Sequence, residues 1–134
     1  MMKRRQEKKV SDEKQYEDAL RAMENGDEKA KTKVAFFKLS RRGGARFDSE
    51  GAVTLLKERA EREDDEAQWM LGICFEYGIG TEQDIDRAML LYIKSSNADN
   101  AIGEFLMNSG HFGRGGDVVK PLGLRKQIII SSIQ

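Results

Sequence analysis

The feature that most constrains this chain is that it repeats itself. Ala30 and Ala67 stand 37 residues apart, and the same offset pairs Val34 with Leu71, Ala35 with Gly72, and Gly43 with Gly80. Ala52 then pairs with Ala88 at 36, as does Leu55 with Leu91, so one connection is a residue shorter. Ala101 continues the series 34 residues after Ala67, with Phe105 in the Leu71 position and Leu106 in that of Gly72. A self-match at this period, two helical stretches to each unit, predicts an α-solenoid whose neighbouring helix pairs bury one another's apolar faces.

The clearest unit starts at Ala67. Ala67, Leu71, Gly72 and Phe75 recur at i, i+4, i+5 and i+8, the spacing of one buried helical face. A mid-helix glycine costs about 1 kcal/mol relative to alanine, so Gly72 predicts a second helix pressed against it. Gly78 and Gly80 end the helix, and Asp84 caps a partner whose Ala88, Leu91 and Tyr92 face inward. Upstream, a helix from about Ser11 carries Tyr16, Ala19, Leu20 and Met23 and stops at Gly26. Asp27 starts the next, with Ala30, Val34 and Ala35 inward and Phe36 and Phe37 widening its apolar surface, until Gly43-Gly44. Asp48 or Ser49 caps another helix bearing Ala52, Leu55, Leu56 and Ala60. The expected class is all-α, an α–α superhelix made as a short solenoid of antiparallel helix pairs. A single proline, Pro121, and few β-branched runs before residue 128 agree with it.

At 134 residues the chain suits one domain with a modest core. Residues 1–10 read as a basic flexible amino-terminus, 11–109 as the helical-repeat domain, and 110–134 as a glycine-rich loop with an apolar tail. The 23 basic and 23 acidic side chains cancel, so no global field draws in nucleic acid or anionic membrane. The basic residues Lys3, Arg4, Arg5, Lys8 and Lys9 suit a frayed helix start or, alternatively, a nucleic-acid arm. No aromatic residue is interleaved to stack on bases. No signal peptide and no run of spanning length is present, which leads to the expectation of a cytoplasmic protein. Gly113-Arg114-Gly115-Gly116 could cradle phosphate, but it follows no strand and lacks the lysine–serine/threonine ending.

Catalysis has little raw material. Cys74 and His111 are the only cysteine and histidine, which cannot close a tetrahedral metal site. Cys74 sits inside an apolar helical pattern, as a buried inert thiol would. Glu63-Asp64-Asp65-Glu66 clusters at a helix start, where the macrodipole favours acids. No enzyme, cofactor or metal is expected. The alternatives are a small hydrolase using Cys74 or these acids, and nucleic-acid association through the amino-terminus.

The stretch Ala67 to Ser96 resembles a Sel1-like repeat, a relative of the tetratricopeptide repeat. Ala67, Leu71, Gly72, Gly78, Gly80, Asp84, Ala88 and Tyr92 fall on that pattern, with Phe75 for its tyrosine, Arg87 for its lysine and Ser95-Ser96 for two alanines. Ala22 to Ala30 is similar to the family's junction between units. In the unit before, Arg41 and Ala35 replace the first turn glycine and the mid-helix glycine. The resemblance implies a helical scaffold for protein–protein contacts without inherent catalysis.

If the first helix of each unit lines a concave surface, Trp69, Ile73, Glu76 and Tyr77 look into the groove at i, i+4, i+7 and i+8. Phe36 and Met107 occupy matching positions before and after. Such a stripe suits a peptide or helix of another protein, with Trp69 and Tyr77 as anchors. The alternative is that Trp69 and Ile73 seal adjacent repeats. Fewer than three complete units are legible, which calls for capping by the terminal segments, a homodimer through an open end, or a larger assembly.

Overall fold

The computed structural model describes residues 10–109. The expectations placed on the basic amino-terminus up to residue 9, on His111, and on the glycine-rich loop and apolar tail lie outside the described residues. Six helices follow in order: α1 Asp12–Glu24, α2 Ala30–Ser40, α3 Ser49–Glu61, α4 Asp65–Tyr77, α5 Ile85–Asn97 and α6 Ala101–Asn108, with a 3-10 turn at Arg42–Gly44. The chain among these residues is all-α, and consecutive helices pack as antiparallel neighbours.

The helix starts follow from local chemistry. A short polar side chain placed before the first turn takes up amide protons that have no partner within the helix. Ser11 accepts from Lys14 N, Asp48 from Gly51 N, Asp64 from Glu66 and Ala67 N, Asp84 from Arg87 N, and Asn100 from Ile102 and Gly103 N. Asp27 is the exception to the expected pattern. Its Oδ1 accepts from Lys29 N within a turn, and α2 opens only at Ala30.

Packing reproduces the repeat. A Cβ at Gly43 would meet the backbone oxygen of Asp12 at 2.6 Å and Tyr16 Cβ at 3.1 Å. One unit on, the neighbours of Gly80 are the backbone oxygen of Ser49 and the side chain of Val53, all shifted by 37. Each turn therefore rests on the first residue of the preceding unit's second helix. Within a unit, Asp48 N donates to Lys38 O at 3.2 Å, and Asp84 N to Phe75 O at 2.8 Å, which ties the second helix to the end of the first.

Between units the chain turns on a left-handed residue, Gly26, Glu63 or Asp99, spaced 37 and 36 apart. The next residue's N–H closes a six-residue ring each time, Asp27 to Ala22 O, Asp64 to Arg59 O and Asn100 to Ser95 O. This geometry corrects the register of the third unit. α6 begins 36 residues after α4, so Gly103 rather than Ala101 stands where Ala67 does. Phe105 then corresponds to Trp69, Leu106 to Met70, and Met107 to Leu71. The alanine match misleads because Gly103 lies so close to Ser95 that a Cβ would collide with that side chain.

Candidate functional site

The first helices make one layer. α2 touches α4 and α4 touches α6, whereas no contact of that extent joins α1 to α3 or α3 to α5. α2, α4 and α6 are thus the more closely packed of the two layers. α4 lies in the middle and is buried at every residue from Ala67 to Glu76.

That burial corrects the expectation of an open stripe. Trp69, Ile73 and Glu76 are only 4%, 3% and 5% exposed. A helix with a neighbour on either side and its own hairpin partner behind has no wide free face, so its stripe becomes interior. Trp69 Nε1 donates to Glu66 Oε2 at 3.1 Å, which meets the hydrogen-bonding need of a buried indole. Phe36, Tyr77 and Met107 are half-buried and pack against the same core cluster, together with Phe105. Phe36 lies edge-on to Phe37 with centroids 5.6 Å apart, and the Arg42 guanidinium stands 5.9 Å from its ring centre. In the corrected register Phe105 occupies the place of Trp69, and Met107 that of Leu71 instead of Ile73.

Gly72 has the packing reason its cost requires. A Cβ there would lie 2.5 Å from Tyr92 Cε1, so the ring of α5 sits directly on the α4 backbone. Tyr92 is fully buried, and its hydroxyl donates to Glu76 Oε1 at 2.7 Å. Glu76 also offers its backbone oxygen to Gln83 Nε2 at 2.8 Å. Sequence reasoning missed this pair, although an acid seven residues along an otherwise apolar stripe from Trp69 was its signal.

The acidic cluster is a fastener. Asp64 Oδ1 caps α4, while Oδ2 accepts the Thr32 hydroxyl at 2.7 Å and Arg59 Nε at 3.3 Å, which joins α2, α3 and α4. Asn100 caps α6 with its oxygen and donates Nδ2 to Asp65 Oδ2 and Glu66 Oε2, each at 2.7 Å. Ser95 Oγ adds a bond to Asp65 O at 2.8 Å. Burial pushes the Cys74 thiol up to about 12. The nucleophile in cysteine chemistry is the thiolate, so Cys74 is inert near neutrality. Among the described residues no group of histidine, cysteine, aspartate and glutamate could hold a metal ion, and no helix is long and apolar enough to cross a membrane.

Residues 65–100, which are α4, α5 and the junction after them, match the family model for the Sel1 repeat. A Sel1 repeat protein from Oxalobacter formigenes is similar at 27% identity and a TM-score of 0.64, over 89% of this chain and 47% of that one. A protective antigen present in uropathogenic Escherichia coli strains, displaying an SLR fold, is similar in fold with a TM-score of 0.63 at 19% identity, over 88% of this chain and 25% of that one. The chain thus spans about half the length of the first and a quarter of the second. No curated protein sequence matches it. With hairpins stacked in register at 36–37 residues and a matched Sel1 repeat over residues 65–100, the chain is an α–α superhelix similar to Sel1 repeat proteins.

Proposed function

We propose that the chain is a cytoplasmic scaffold that holds a peptide or helix of another protein against its first-helix layer. Phe36 on α2, Tyr77 on α4 and Phe105 on α6 supply the contact. Trp69, Ile73 and Glu76 hold the wall in shape from behind. The observation that carries this reading is the continuity of α2, α4 and α6, with half-buried apolar side chains contributed by all three. Sel1 repeats generally mediate contacts between proteins, which supports it. The hydrolase alternative has a protonated Cys74 and acids already committed to helix caps, and neither serves it.

The test compares the intact chain with Phe36→Ala, Phe105→Ala and Trp69→Ala in affinity capture from cells of the source organism. Loss of the same partner from the first two, with unchanged thermal melts, supports the first-helix site. Trp69→Ala should instead lower stability by about 3 kcal/mol, the usual cost of emptying a buried aromatic site. A partner retained by both Phe36→Ala and Phe105→Ala overturns the proposal.

A further inference from the structure

On the other side of the stack, the second helices α3 and α5 leave a groove of about 550 Å³ between them. Its floor is Leu71, Phe75 and Ala60, and one wall carries Leu90 and Leu91. Leu90 is 60% exposed, the most open large apolar side chain among the described residues. Lys57 on α3 and Arg87 and Lys94 on α5 form the rim, against a single acid, Glu61. Arg87, Leu90, Leu91 and Lys94 fall at i, i+3, i+4 and i+7, which puts them on one face of α5.

The repeat shows that the frame does not require these residues. The equivalent junction between α1 and α3 has Leu20 for Lys57, Met23 for Ala60, Gly51 for Arg87, Thr54 for Leu90 and Glu58 for Lys94. Glu58 is engaged by Lys31, and the longer Met23 side chain stands where Ala60 leaves space. Arg87 pairs with Asp84 at 3.5 Å and lies 5.6 Å from the Phe75 ring centre. Lys57 and Lys94 form no ion pair with a described carboxylate. Of these two junctions, it is this one that opens an apolar floor and sets cations around it.

From this we infer that the α3–α5 groove binds an acidic segment of another protein, with one aliphatic or aromatic side chain seated over Leu71, Phe75 and Leu90 and carboxylates facing Lys57 and Lys94. Apolar depth beneath a positive rim selects for both features at once. The aliphatic walls favour a protein segment over nucleic acid, whose bases call for aromatic platforms.

The experiment is selection of a random twelve-residue peptide library displayed on phage, using the full chain and its Lys57→Glu/Lys94→Glu and Leu90→Ser variants. Circular dichroism checks that each variant folds. Wild type should enrich peptides that combine aspartate or glutamate with one large apolar residue. The best of these should weaken at least tenfold against either variant, and should weaken with salt against wild type. Enrichment of nothing, of peptides without acids, or of peptides indifferent to both variants overturns the inference. So does equal or tighter binding of single-stranded oligouridylate that depends on the same lysines. These surface changes lie outside the first-helix layer, so their outcome is separate from that of Phe36→Ala and Phe105→Ala.

Discussion

In the hairpin α4–α5, Tyr92 covers Gly72 and gives its hydroxyl to Glu76. In α2–α3, the same register offers Leu56 to Ala35, with Leu39 in the Glu76 position, and all three are buried. The backbone frame is common to both, as the bonds from Asp48 to Lys38 and from Asp84 to Phe75 demonstrate. What differs is a set of three side chains that change together. A large polar ring needs a bare backbone beneath it and an acceptor beyond it, while a leucine needs neither. The repeat is thus specified by turns and caps, and its filling is solved unit by unit.

The strongest way to break the comparison is to mix the two solutions. Gly72→Ala forces a methyl group against Tyr92 and should cost about 2–3 kcal/mol in urea denaturation, despite the better helix propensity of alanine. Adding Glu76→Leu and Tyr92→Leu copies the other hairpin's triad and should recover most of that loss. No recovery would mean that the triads are not interchangeable. Next in size, Tyr92→Phe removes one donor from the Glu76 carboxylate and should cost about 1.5 kcal/mol. Its counterpart, Leu56, has no such bond to lose.

The turns sharpen the comparison further. Arg41 and Gly78 both adopt left-handed backbone, at φ 61° and 67°. Gly78→Ala should cost about 1 kcal/mol. Arg41→Gly should be close to neutral, because relief of strain is offset by loss of the guanidinium, which stands 4.7 Å from the Phe47 ring centre. At the junctions, where Gly26 is the unstrained case, Glu63→Gly should gain about 0.5–1 kcal/mol by chemical denaturation.

The last effect vanishes at pH 7 and emerges only in alkali. Phe37 occupies the Cys74 position in the first hairpin and has no proton to lose. Cys74 keeps its proton in the folded chain up to about 12, but in the unfolded chain releases it near its ordinary value of 9.0. The unfolded state then binds fewer protons, so stability should fall as pH rises from about 9 towards 12. Urea midpoints of wild type and Cys74→Val should diverge across that window and run parallel below it.

The hairpins were legible because small residues and turn glycines recur at a fixed offset, and because Gly72 is hard to explain without a close neighbour. The caps at Asp48 and Asp84 were legible for the same local reasons. Glu63 and Asp99 were not, since nothing in an acidic side chain announces a left-handed backbone. That hid the true register of α6, where Gly103 replaces the alanine. The wall was misread for a different reason. Periodicity tells which residues share a face, but only the stacking of α2 and α6 beside α4 tells whether that face is wet. The groove between α3 and α5 carries no motif and emerges only when the two junctions are laid over each other in space.

Asp64 and Asn100 each begin a helix and at the same time bolt it to the unit before. A helix so anchored cannot fray from its front end while its predecessor stays intact. Opening therefore spreads across the joint instead of stopping there, and the helices so joined behave as one cooperative body, not as a row of independently melting beads.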